Sequence, residues 1–165
     1  PDDEVIIPTP YWVSYSEMVV LAEGKSVFID TDIESNFKIT PAQLEAAITP
    51  KSKLFMFSSP CNPTGSVYSK EELAALVKVF EKYPDIYILS DEIYEHINFF
   101  DQHESIAQFD SIKDRVIIVN GFSKVVLLAV KLTVYFPGKA IGPFKDAHHK
   151  IIPLTFVAEG YIMSQ

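Results

Sequence analysis

A single cysteine, Cys61, means that this chain can form no internal disulfide. That fits a reducing compartment, where thiols persist. Arginine is as scarce. The 14 basic side chains are 13 lysines and Arg115, so chemistry that needs several planar two-pronged clamps on carboxylate or phosphate is not fully supplied by these residues. Long apolar runs are missing too. The longest aliphatic run, Val125 to Val130, stops at Lys131, where a membrane span needs ~20 residues. No repeat, low-complexity tract or Gly/Ser linker marks a boundary, so the 165 residues read as one unit. The first residues, Pro1-Asp2-Asp3-Glu4, carry no basic or apolar targeting pattern, and a cytoplasmic location is the expectation, with an organelle such as a plastid left open. The chain reads as an excised fragment of a longer protein.

What is present is the profile of a globular protein: 48% hydrophobic, 13% aromatic and 22% charged residues, far from the composition of disorder. The net charge of −8 would repel nucleic acid and anionic bilayers, so neither is expected as a partner. Val5-Ile6-Ile7 reads as a buried strand broken by Pro8-Thr9-Pro10, and Tyr11 to Ala22 has near-helical apolar spacing. Ser26 to Asp30 and Leu54 to Ser58 read as further strands. Two capping boxes, Thr40-Pro41-x-Gln43 and Ser69-x-x-Glu72, open helices. The first runs through Leu44 and Ile48. The second carries an apolar stripe of Leu73, Leu76, Val77 and Phe80 and ends near Pro84. Ile86 to Leu89 and Val116 to Val119 are short, continuous and apolar, as strands covered on both faces are. This alternation predicts a doubly wound α/β fold with a mostly parallel central sheet and helices on both faces, in which ligands bind beyond the carboxyl ends of the strands.

Three segments then converge on one crevice: Ser59-Pro60-Cys61-Asn62-Pro63-Thr64-Gly65, Ser90-Asp91-Glu92-Ile93-Tyr94 and Asn120-Gly121-Phe122-Ser123-Lys124. They bring an amide, a carboxylate, a phenol and an amine together. An amine in a dry crevice is the usual covalent handle for a carbonyl, because desolvation lowers its pKa and frees its lone pair. Each residue also has a plainer reading: Asp91 capping the next turn, Asn62 to Gly65 as a β-turn only, Trp12 as core filler. Asp91, Glu92, Glu95 and His96 carry metal-ligating groups, but consecutive carboxylates point to different sides of the backbone and no second histidine has ligand spacing nearby, so no metal site is expected. Cys61 has no basic neighbour in sequence, and His103, His148 and His149 carry no readable motif.

Together with Tyr11-Trp12-Val13-Ser14-Tyr15, these segments resemble, in order and spacing, the successive signatures of class I pyridoxal-phosphate aminotransferases. The similarity is greatest to the prokaryotic-type aspartate and prephenate group and is dense from residue 1 to about 124. It implies a fold-type-I large domain, of which residues 1–165 would be the central part, with the small domain and N-terminal arm outside the chain. It implies pyridoxal 5'-phosphate as cofactor, an amino acid and a 2-oxo acid as substrates, and a homodimer. Lys124 would form the Schiff base with the cofactor aldehyde and carry the proton at the substrate α-carbon. Asp91 would hold the proton on the pyridine nitrogen. Tyr94 and Asn62 would donate to the 3' oxygen, Trp12 would stack on the ring, and Ser123 would touch the phosphate. In the family an arginine then grips the phosphate. Here Lys131 takes that place if one residue is deleted, a point charge where the family has a fork. Arg115 precedes a strand and is no substitute for the arginine that holds the substrate. The residues leave open another enzyme of the same scaffold, a carbon-sulfur lyase or cyclopropane-carboxylate synthase, and a non-catalytic relic of the fold.

Overall fold

The computed structural model describes residues 2–99, 102–121 and 132–135, the last by backbone alone. Six strands form one sheet: β1 (Glu4–Pro8), β2 (Lys25–Ile29), β3 (Ser52–Ser58), β4 (Tyr87–Asp91), β5 (Val116–Gly121) and β6 (Leu132–Tyr135). Their order is β2-β1-β3-β4-β5-β6. The first five run parallel, and β6 returns antiparallel to β5 with Gly121 opposite Leu132. The chain direction across the sheet reverses between β1 and β3, and in open α/β sheets such a switch point opens a crevice at the carboxyl ends of the strands.

Three helices pack on the sheet: α1 (Ser14–Leu21), α2 (Pro41–Ala47) and α3 (Lys70–Phe80). Both predicted capping boxes close reciprocally. Thr40 accepts from the Gln43 amide while Gln43 reaches back to the Thr40 N–H, and Ser69 and Glu72 do the same, each satisfying donors that an uncapped helix leaves orphaned. The α3 stripe of Leu73, Leu76, Val77 and Phe80 is buried against Phe55, Phe57 and Ile88 of the sheet, in the larger of two apolar clusters. The smaller lies on the opposite face, where Tyr15 and Val19 of α1 meet Ile7 and Met56.

The boundaries differ from the sequence reading in instructive places. The helix expected from Tyr11 begins at Ser14, with Val13 as an N-cap that makes no side-chain hydrogen bond; Trp12 is left before it. The helix expected to reach Pro84 ends at Phe80. Its last carbonyl and those that follow are taken by Arg115, whose guanidinium donates to Phe80 O at 2.6 Å, Tyr83 O at 2.9 Å and Ile86 O at 2.7 Å. The lone arginine is therefore a structural clamp at the amino end of β5, away from the crevice. β4 and β5 each run past their apolar cores, to Asp91 and Gly121, so Asp91 is the last residue of a strand rather than the first of a loop.

Candidate active site

The crevice is built where β1, β3 and β4 end. After β3 the backbone turns through Cys61 to Ser66, with the Gly65 N–H donating to Cys61 O at 2.7 Å and the Cys61 N–H to Ser66 O at 2.9 Å. Gly65 has φ +72°, a conformation that side chains with a Cβ resist, so the turn requires glycine there. It presents Asn62 to an open cleft of about 280 Å³, whose wall also includes Cys61, Tyr94 and Ile97. Asn62 and Tyr94, named from different segments of the sequence, thus line one space.

Asp91, 8% exposed, ends β4, where its carbonyl accepts from the Ser59 N–H at 3.2 Å. Its two oxygens are held separately: Oδ1 accepts from the Ile93 N–H at 3.2 Å, and Oδ2 accepts from the Tyr15 hydroxyl at 2.6 Å. The plainer reading of Asp91 as a turn cap is correct for one oxygen and leaves the other facing α1. Trp12 is 42% exposed and meets the Tyr15 ring edge-on, with centroids 5.8 Å apart. Trp12, Tyr15 and Asp91 therefore form a contiguous wall, and a half-exposed tryptophan is a poor candidate for core filler. Ser123, Lys124 and Lys131 lie outside the described residues.

The electrostatics are unusual. Burial pushes the Asp91 carboxyl above the ordinary carboxylate range; hydrogen bonds from Tyr15 and Ile93 oppose the shift, and the charge of Glu92 adds to it. Burial likewise raises the Tyr15 phenol, with the Asp91 charge contributing next, so the shared proton belongs to Tyr15. Among the described residues no lysine, arginine or histidine pairs with Asp91. A buried carboxylate without a cation is costly unless a ligand supplies one. A protonated pyridine nitrogen has the charge and the single N–H that this acceptor lacks, and the exposed Trp12 ring offers it a stacking face. The residues present thus fit pyridoxal phosphate.

Tyr15 was not singled out from the sequence. The signal was its position three residues after Trp12 at a helix start, which places both on one side of the turn. A second omission lies on the other face of the sheet. Glu92, 3% exposed, accepts from Ser90 Oγ at 2.9 Å, from Ser105 Oγ at 2.6 Å and from His103 Nε2 at 3.0 Å. His103, which carries no sequence motif, also brings its ring nitrogen within 4.8 Å of carboxylate oxygens of Glu92 and Glu95. Both Glu92 oxygens already accept hydrogen bonds, so this group is built as a polar network.

Comparison with known proteins gives consistent findings. The model of the family "Aminotransferase class I and II" matches residues 1–129. An aspartate/prephenate aminotransferase of Nitrosomonas europaea is 56% identical over 126 residues, covering 75% of this chain and 32% of the relative. An aspartate aminotransferase of Bacillus subtilis is 53% identical over 125 residues, covering 74% and 32%. The crystal structure of the aspartate aminotransferase from Rhizobium meliloti superimposes with a TM-score of 0.73 at 44% identity, covering 74% of this chain and 31% of that one. The chain spans about a third of the length of the curated relatives it matches.

Proposed function

Since the chain belongs to the class I and II aminotransferases, we propose that the full-length protein is a pyridoxal-phosphate-dependent aminotransferase that moves the amino group of an amino acid, aspartate or glutamate first among the candidates, to a 2-oxo acid. Residues 1–165 would be the central part of its large domain, and the whole protein a homodimer. The observation that carries the reading is Asp91: a buried carboxylate with no cation paired to it among the described residues, aimed by Tyr15, in the same chain segment as Tyr94, which shares a cleft with Asn62.

When bound, pyridoxal phosphate supplies an aldehyde for covalent capture and a positively charged ring that withdraws electrons from the substrate α-carbon. Asp91 would keep the proton on the ring nitrogen, which a carboxylate does best as an anion. The Tyr15 hydroxyl, donating to Oδ2, favours that anion and fixes its direction. Trp12 would stack on the ring, and Asn62 and Tyr94 would donate to the 3' oxygen. Lys124 would provide the amine for the cofactor aldehyde and would hold or release a proton at the substrate α-carbon. Ser123 would touch the phosphate, and Lys131 would hold it if the chain aligns with one residue deleted after Lys124.

Borohydride reduction of the full-length holoprotein followed by peptide mapping tests this. The expected result is a single pyridoxyl adduct on Lys124. An adduct on another lysine with Lys124 unmodified removes the assignment, and no adduct on any lysine removes the cofactor.

A further inference from the structure

Asp91 and Glu92 are neighbours in sequence, and strand alternation sends their side chains to opposite faces of the sheet. Asp91 serves the crevice. Glu92 faces the α3 side, and the proposed chemistry does not use it. Burying a second carboxylate one residue from the first is expensive, so its partners show what it is for.

Those partners come from one place. The chain leaves β4 at Asp91, makes an excursion that carries Tyr94, Ile97 and Phe99 along the cleft, and returns to the sheet at Ser105 and the short 3₁₀ helix Ile106–Gln108. Glu92 sits at the departure point, where its N–H still pairs with Val119 O of β5 at 2.8 Å. His103 and Ser105 sit at the return point. The Ser105 hydroxyl donates to Glu92 Oε1 while accepting from the Ala107 N–H at 3.2 Å, so one side chain both caps the 3₁₀ helix and closes the excursion. His103 carries its proton on Nε2 toward Glu92 Oε2, because a carboxylate only accepts. Ser90, two residues back on the same face of β4, completes the set. Ile106 beyond the return point is fully buried against the α3 core, which makes that end rigid.

We infer that Glu92, clasped by His103 and Ser105, is a positioning residue that holds the Tyr94-bearing excursion against the Asn62 turn and thereby sets the affinity of the site for its cofactor. The inference rests on the proposed role of the cleft. With the ends of the excursion pinned, fewer backbone states compete with the one that places Tyr94 beside Asn62, and binding no longer has to order the segment. Without the clasp the same contacts form only after that ordering, and the apparent affinity falls by the fraction of chains already closed.

The test uses the full-length apoprotein as wild type, Glu92→Ala, Glu92→Gln and His103→Ala, with Arg115→Lys as a variant that weakens the fold elsewhere. Amide hydrogen exchange is followed by peptide for residues 93–99 and for α3, and pyridoxal phosphate is titrated by absorbance. The clasp predicts exchange about tenfold faster at 93–99 in His103→Ala and Glu92→Ala, with α3 unchanged, and a cofactor Kd about tenfold weaker. Glu92→Gln, which keeps the shape and one acceptor, should fall between. Arg115→Lys should lower overall stability and leave the Kd alone. If His103→Ala and Glu92→Gln bind cofactor within twofold of wild type, or if 93–99 keep their protection, the inference is overturned. A wild-type protein that takes up no pyridoxal phosphate overturns the proposed function instead, and exchange at 93–99 then decides by itself whether Glu92 holds the excursion.

Discussion

Replacing Tyr15 by phenylalanine removes one hydroxyl and leaves the ring packed on Ile7, Val19 and Met56. The hydroxyl donates at 2.6 Å to a carboxylate that burial already drives toward its neutral form. A hydrogen bond to a charged group is worth about 1.5 to 3 kcal/mol, and each pK unit corresponds to about 1.36 kcal/mol. Losing the bond should therefore raise the Asp91 pKa by a further one to two units or so. The sign follows from which form the cofactor needs. Only ionised Asp91 pairs with a protonated ring nitrogen, so affinity for pyridoxal phosphate should fall as pH drops through the Asp91 pKa. In Tyr15→Phe that fall should begin about one to two pH units higher. The assay is a cofactor titration of wild-type and Tyr15→Phe apoprotein at a series of pH values between 5 and 8.5. The cofactor's own protonations are common to both proteins and cancel in the ratio of affinities. Asp91→Asn supplies a reference in which this limb is absent. A ratio that stays flat with pH would show that Tyr15 does not stabilise the charged carboxyl, and the link drawn between α1 and β4 would be wrong.

Two further outcomes are expected. Arg115→Lys keeps the charge but can reach fewer of the three carbonyls at Phe80, Tyr83 and Ile86, so the urea midpoint should drop by an amount corresponding to roughly 1 to 3 kcal/mol, and an unchanged midpoint would mean that water satisfies that end of α3 equally well. The Glu92 hydrogen bond raises the His103 pKa above its ordinary value, with the charges of Glu92, Glu95 and Glu104 adding and burial opposing; protection of residues 93–99 from exchange should accordingly be full below the ordinary histidine pKa of ~6.5 and decline as pH rises through the raised value, whereas in His103→Ala, after correction for intrinsic rates, it should not vary with pH in that window.

Local signals in the sequence were read well where one residue's chemistry decides the outcome. The two capping boxes, the Pro8-Thr9-Pro10 break and the glycine in the Asn62 turn each act within four residues, and each is found as expected. Strand lengths were underestimated because polar residues at strand ends look like loop: Ser90 and Asp91 continue the ladder of β4 opposite Phe57 and Ser58, where backbone pairing outweighs side-chain polarity. Motif resemblance assigned roles to Trp12, Asn62, Asp91 and Tyr94; of these Asn62 and Tyr94 share one cleft, and Trp12 and Asp91 both touch Tyr15. It assigned no role to Tyr15 or to the Glu92, His103 and Ser105 group. Those pairings join residues 76, 11 and 13 positions apart, and no periodicity within a single element encodes them.

The adjacent carboxylates at the end of β4 show how a fold separates a structural charge from a functional one. Both are nearly inaccessible, at 8% for Asp91 and 3% for Glu92, so both bear the cost of leaving water. Glu92 is satisfied within the chain: two hydroxyls and an imidazole converge on its two oxygens. Among the described residues Asp91 has a phenol and one backbone N–H, both neutral, and burial still holds its pKa high. Hydrogen bonds from neutral donors direct a carboxylate without balancing its charge, whereas a cation does both. A site that aims an anion and withholds its counter-charge is unstable by itself and is relieved when a ligand brings a positive group to that spot. Asp91→Asn should on this reasoning leave the apoprotein at least as stable as wild type near neutral pH, since the amide can accept from Ile93 and donate to the Tyr15 oxygen without a buried charge. The same substitution should weaken the hold on a protonated ring. Thermal unfolding of the two apoproteins measures the first effect and cofactor titration the second, and an Asp91→Asn apoprotein that melts clearly below wild type would place Asp91 among the structural charges with Glu92.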